Sequence, residues 1–152
     1  VKRGKPLRRT PLKRGDSQLK RSPLNKRSKK MQTKYVKRRA LVEDLLNERP
    51  LCQACVVFAV YDGKQGAVTV NRTDDIHELV NRSQGGSILD LPNLLAVCRP
   101  CHTRITVSPK QAEELGLHLE SWCNTEEHLT EAERVRNEWK NGIATKPYWF
   151  SD

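Results

Sequence analysis

The sequence predicts an α+β domain stapled by a metal ion and led by a basic arm. Three observations predict it. Two Cys-x-x-Cys pairs, "LCQAC" (Cys52, Cys55) and "CRPC" (Cys98, Cys101), are separated by 42 residues. The stretch from Asp75 to about Thr106 alternates as strand, loop, strand and helix. Charge is segregated: residues 1–40 carry 17 Lys and Arg against one acid, Asp16, whereas residues 41–152 carry 11 bases and 17 acids. With 152 residues of which 36% are hydrophobic, the chain is thin for a large core, and a small metal-stapled domain fits it.

The arm comes first. "PLRR", "PLKR", "QLKR" and "PLNKR" recur from Pro6 to Arg27, and prolines at 6, 11 and 23 deny helix to their neighbours. Residues 1–33 are expected to form a disordered basic arm and residues 34–152 the folded domain with a C-terminal helical extension. Such an arm condenses on a polyanion by counterion release and does not read bases; the blander alternative is a solubility or targeting tail. The next segment, "TKYVKRRALVEDLLNERP", spaces Val36, Ala40, Leu41, Leu45 and Leu46 as a helix, with Thr33 as cap and Pro50 as its end. On it Lys34, Lys37, Arg38 and Arg39 would continue the basic surface, with Lys34, Arg38 and Arg39 as DNA contacts.

"VVFAVYDG" and "GAVTVN", with "DGKQG" between them, read as a hairpin of β-branched and aromatic residues. "DDIHELV" predicts a strand over Asp75–Val80, "NRSQGGSILDLPN" a loop, "LLAV" a strand and "RPCHTRI" the start of a helix. "SPKQAEELG" predicts a further helix, with Ser108 as cap, Pro109 at the first position and Gly116 at the end. A last helix is expected over about Thr130–Asn141, with Thr130 and Glu133 forming a capping box. No apolar run reaches membrane-span length, and no charged start leads into an apolar signal segment, so neither a membrane nor export is expected.

Five cysteines without a secretory signal point to metal rather than disulfides. Four thiolates from Cys52, Cys55, Cys98 and Cys101 complete a tetrahedral structural Zn2+ site. A redox role for either pair is the weaker alternative. "CRPCH" also matches covalent haem attachment, which would leave "LCQAC" unexplained. Cys123 has no partner motif and is expected to be a buried apolar residue or a free thiol. His102, directly after the last zinc ligand, is left over.

"IHELVNRSQGGSILDLPNLLAVCRPCH" resembles the HNH nucleases, particularly the small zinc-stapled kind common in bacteriophage genomes. The three letters fall on His77, Asn93 and His102; the framing Asn93-Leu94, Cys98 to His102, and the glycines Gly85 and Gly86 carry the likeness, which covers about residues 50–107. The resemblance implies a ββα core, a metal-dependent DNA endonuclease, and one catalytic divalent cation, Mg2+, Mn2+ or another, distinct from the zinc. It implies DNA as a partner and the cytoplasm, the host's if the chain is from a phage, as the place of action, and it leaves open packaging, with phage packaging proteins as further partners, restriction and homing. His102 would bind the catalytic cation, and Asn93 would hold the inter-strand loop that orients the catalytic His.

The first strand stays open. Counted back from Gly85, His77 falls in the metal-ligand slot and Glu78 in the base slot. By chemistry, His77 is the better base near neutrality and Asp75 the carboxylate ligand, since alternation lets Asp75 and His77 share a strand face. Arg82 and Arg99 are candidate phosphate contacts. His118 and His128 lack any motif and are expected at the surface. The aromatics of the last third, Trp122, Trp139, Trp149 and "KPYWF", are expected to fill the core, with a docking peptide as the alternative. The competing function is a non-catalytic zinc module that binds nucleic acid.

Overall fold

The computed structural model describes residues 27–150, Gln65 and Ala67 apart. The proline-punctuated repeats expected to be disordered lie outside the described residues, save for Arg27. The fold is α+β: a two-stranded antiparallel sheet with helices around it.

The first helix, α1 (Lys29–Glu48), starts a turn earlier than the Thr33 cap predicts. Ser28 caps it, its Oγ accepting from the Met31 N–H at 3.3 Å. The Thr33 hydroxyl lies inside the helix and donates to the Lys29 carbonyl. The Lys29–Gln32 run is made of good helix formers, so the helix extends into residues expected to belong to the arm. Of α1 only Leu45 is buried, and Val36 is 68% exposed. Arg38, not an apolar stripe, fastens its first half to the sheet.

The expected hairpin is absent among the described residues. "CVVFAVY" is helix α2 (Cys55–Tyr61). Its Val and Phe residues suggest a strand, but the buried residues, Ala54, Cys55, Val57 and Phe58, do not alternate as a one-faced strand requires. Tertiary packing decides the matter: α2 lies on α5 (Glu126–Lys140), with the Tyr61 and Trp139 rings 5.6 Å apart. "GAVTVN" forms no strand there; Arg72 makes one isolated bridge to Leu51.

Strands β1 (Asp75–Glu78) and β2 (Leu94–Val97) pair in the register Asp75–Val97, His77–Leu95 and Glu78–Leu94. The chain leaves β2 through Cys98 directly into α3 (Arg99–Val107), with Pro100 in its first turn. The strand, loop, strand, helix order read from the sequence is thus present. Helix α4 (Pro109–Glu114) follows, although Ser108 gives it no side-chain cap. It closes on Gly116, whose φ of +65° and approach to the Ala132 carbonyl admit no side chain. Helix α5 also starts a turn early, capped by Thr125, which accepts from the His128 N–H; the Thr130 hydroxyl donates to the Glu126 carbonyl inside the helix. Its buried Leu129, Ala132, Val135 and Trp139 close one core with Val57, Phe58, Leu79, Val97 and Ile105. Cys123 lies in that core, fully buried. The aromatics divide: Trp139 is buried, whereas Trp122 and Tyr148 are 60% and 66% exposed.

Candidate functional site

The two cysteine turns meet because backbone pairing carries the first to the edge of β2. The Gln53 N–H donates to the Ala96 carbonyl at 3.0 Å, and the Gln53 side-chain oxygen accepts from the Ala96 N–H at 2.9 Å. The Cys52 N–H donates to the Asn71 carbonyl. All four cysteines are buried, and their sulfurs lie within 4.8 Å of one another. Cys55 Sγ is 3.7 Å from both Cys98 Sγ and Cys101 Sγ. Zinc–sulfur bonds of about 2.3 Å in a tetrahedron require sulfurs about 3.8 Å apart. Asn71 donates to Cys98 Sγ at 3.7 Å, an outer hydrogen bond of the kind that orients a ligand. The protonation of the bare cluster is uneven. A hydrogen bond from Cys101 lowers Cys52 to about 5, burial raises Cys55 to about 11, and the hydrogen bond to Cys52 followed by burial raises Cys101. Buried thiols at this spacing cannot all ionise without a cation among them. The four cysteines therefore could hold a structural metal ion such as zinc.

A second constellation lies beside the first. His102, one residue past Cys101, sits in the first turns of α3, where its Nδ1 is 3.3 Å from Asp75 Oδ2. Asp75 and His77 share a face of β1, as alternation predicts, and the His77 ring centroid is 5.3 Å from that of His102. A cleft of about 170 Å³ opens here, lined by His77, His102, His118, Asn81 and Thr106, with Ile105 and Pro109 as its apolar wall. His77 is buried, and its Nε2 has no hydrogen-bond partner. The Leu117 backbone is its hydrogen-bonding neighbour. Burial, then the nearness of His102 and His118, lowers the His77 pKa to about 3, with the Leu117 bond opposing them; the ring is held neutral.

Glu78 faces the other way. Its buried carboxylate is clamped by Arg38 at 2.7 Å and Arg82 at 2.9 Å, and it accepts from the Arg82 N–H as well. Alternation along β1 separates Glu78 from the His77 face, so the base slot counted back from Gly85 holds a structural ion pair. Arg38 is correspondingly not a free DNA contact: it is largely buried and also donates to the Ile88 carbonyl. Arg82 is half-exposed but engaged with Glu78 and the Tyr35 hydroxyl. Arg99 is 69% exposed and pairs with Asp75 at 2.9 Å. Lys34 and Arg39 are exposed on α1.

Asn93 is buried at the end of the loop. Its Oδ1 accepts from the Val80 N–H, and its Nδ2 donates to the Val80 and Ser87 carbonyls. Gly86 approaches the Val80 carbonyl so closely that no Cβ fits. The loop is thus shaped by the residues singled out for it.

Sequence reasoning misplaced His118, which is only 8% exposed and lines the cleft, 6.5 Å from His77 between ring centroids. No motif surrounds it; its setting between Leu117 and Leu119, both buried, is the one local signal. His128 is half-buried in an aromatic cluster with Trp122, Tyr148 and Trp149. A larger groove of about 600 Å³ on α5 presents Glu126, Glu127 and Glu131 with Arg134, a mostly acidic surface unsuited to a polyanion. Among the described residues, no helix is long and apolar enough to cross a membrane.

The four cysteines are, among the described residues, the only group of three or more metal-ligating side chains close enough to share an ion. Asp75 and His102 offer one oxygen and one nitrogen side by side, and His77 stands off from them. No protein-family model, curated protein or solved structure matches the chain.

Proposed function

We propose that the protein is a metal-dependent DNA endonuclease of the HNH kind, its ββα core formed by β1, β2 and α3 and stapled by zinc on Cys52, Cys55, Cys98 and Cys101. The observation that carries this reading is that His102 and a neutral His77 with an unpartnered Nε2 line one cleft, with Asp75 against His102 at 3.3 Å, beside the cysteine cluster. Asp75 and His102 would hold the catalytic cation, an O,N donor pair that suits Mg2+, Mn2+ or another divalent ion and leaves positions open. When bound, the cation supplies charge neutralisation at the phosphate and the leaving oxygen.

His77 is the base in this reading. Its Nε2, unpartnered among the described residues, would take the proton of the attacking water. Burial lowers the basicity of His77, and an anionic phosphodiester brought beside it would favour the imidazolium and raise it. Water adds to phosphorus, the 3′ oxygen departs, and the product carries a 5′ phosphate. Arg99, long and mostly exposed, is free to exchange Asp75 for a phosphate when a cation takes its place.

The Arg99–Asp75 pair also favours the second reading, a zinc module that binds nucleic acid without cutting it, because the pair already neutralises the carboxylate. Plasmid cleavage in magnesium or manganese separates the two. The full chain should nick or linearise plasmid, His77→Ala and His102→Ala should not, and Glu78→Gln should cut to the extent that it folds. Wild-type cleavage by a folded His77→Ala would remove the nuclease reading of β1.

A further inference from the structure

The cleft has a third imidazole that the HNH letters do not include. His118 arrives from the segment after α4, and that segment is fixed at several points. The Leu119 N–H donates to the Leu79 carbonyl at 2.8 Å, the Leu117 and His118 N–H groups both reach the Ala112 carbonyl, and Arg136 donates to the Gly116 carbonyl. Leu117 and Leu119 are fully buried on either side. The His118 ring is therefore presented by a rigid frame, as a site residue must be.

The ring makes no hydrogen bond to the described protein. Its nitrogens, unlike His77 Nε2, are not among the buried atoms without a partner, so on the cleft wall the imidazole is open to a ligand. The other donors in the cleft are largely engaged: the Thr106 hydroxyl donates to the His102 carbonyl, and His102 Nδ1 faces Asp75. Arg82 and Arg104, nearby in sequence, are tied to Glu78 and Asp62. An anion entering the cleft would meet His118 as its buried N–H donor, with exposed Asn81 at the rim.

We infer that His118 binds the scissile phosphate, its imidazole N–H donating to a non-bridging oxygen of the phosphodiester that His77 faces. This role, which rests on the nuclease reading of the cleft, adds a contact from outside the motif. It strengthens as negative charge grows on the phosphoryl oxygens, and the loss of one such donor typically lowers turnover by about 10²–10³-fold.

The test is single-turnover cleavage of plasmid in manganese by the full chain, His118→Leu and His118→Gln, with zinc content and thermal unfolding measured on each. His118→Leu should keep its zinc and unfold no earlier than wild type, yet cleave about 10²-fold more slowly. His118→Gln restores a side-chain N–H and should recover part of the loss. Cleavage by His118→Leu within about twofold of wild type, or a folded His118→Gln no better than His118→Leu, overturns the inference while leaving the nuclease reading intact. A wild-type chain that cuts nothing would sink that reading instead. The His118 contact is then judged by titrating inorganic phosphate against the imidazole nitrogen resonances. A saturable shift of the His118 signals supports it, and their indifference overturns it.

Discussion

Asn93 grips Val80 by both of its backbone groups, accepting from the N–H at 2.8 Å and donating to the carbonyl at 3.1 Å. The same amide donates to the Ser87 carbonyl at 3.0 Å. The loop between the strands is thereby fastened three residues past His77. Asn93→Leu leaves the two buried backbone groups of Val80 unpaired and should cost about 2 kcal/mol or more. Asn93→Asp tests the amide itself: it keeps the Val80 N–H contact but sets a carboxylate against two carbonyls. Urea titration should show both variants clearly less stable than wild type. An Asn93→Asp protein of wild-type stability would show that the amide donor is dispensable.

Metal analysis of the purified protein should find one zinc per chain. Cys52→Ser and Cys98→Ser should lose it together with helical signal, and a strong chelator should do the same to wild type, because a structural metal ion contributes its binding energy to folding. Cys123→Ser is the control. That thiol is buried in the core away from the cluster, and burial raises it to about 11. The variant should hold zinc at full stoichiometry. A folded, zinc-free wild type would remove the staple.

The Asp62–Arg104 pair predicts a pH dependence of stability. Two hydrogen bonds of 2.8 and 2.7 Å join the carboxylate at the end of α2 to the guanidinium on α3, which also lies 4.2 Å over the Phe58 ring. The Arg104 hydrogen bonds lower the Asp62 pKa. A carboxyl lowered in the folded state stabilises it above the unfolded value, about 4, and loses that contribution as pH falls through the folded value. Asp62→Asn should therefore be less stable at pH 7, by about 0.5–1 kcal/mol for so exposed a pair. The difference should narrow at acid pH, below the unfolded value of about 4. Paired denaturation curves at the two pH values measure it; an equal gap at both would assign the loss to something other than charge.

Residues 1–26 should supply most of the non-specific affinity for DNA. Residues 1–26 hold 10 bases and one acid, whereas residues 27–152 hold 18 bases and 17 acids. If about 6–10 of these charges reach phosphates, affinity should fall by about 10³–10⁵ between 50 and 200 mM salt. Deleting residues 1–26 should flatten that slope and weaken binding to unrelated sequences alike. Fluorescence anisotropy against salt for both forms gives the answer, and equal slopes would move the phosphate contacts onto the domain.

Local pattern made the centre of the fold legible. Alternation around His77, the apolar "LLAV" and the proline after Cys98 placed β1, β2 and α3, and cysteine spacing named the four residues that gather. It failed where two local preferences competed. The Val56–Tyr61 run has strand-forming residues, but the turn through Cys55 starts a helix whose buried positions, Cys55, Val57 and Phe58, do not alternate. Ser28 and Thr125 cap their helices one turn ahead of the threonines chosen, because runs of Lys and Glu prolong a helix as readily as they decorate a surface. The two faces of β1 were legible as a choice, and the partners of Glu78, Arg38 from α1 and Arg82 from the loop, show only which way its side chain turns. His118 was out of reach for a different reason: the bridge between Val80 and Leu119 brings it to the cleft across nearly 40 residues.

The hydrogen bond from Leu119 to Leu79 determines where this chain can be cut and recombined. A graft of residues 50–107 onto another scaffold would carry both cysteine pairs, Asp75 and His102. It would leave behind Leu117, which steadies His77, and His118. The smallest interchangeable cassette therefore extends through α5, whose Arg136 fixes the Gly116 carbonyl at the head of that segment. Crossovers between Val107 and Leu117 separate a cleft from its own back wall, so chimaeras joined there should fold around their metal and still inherit an incomplete site.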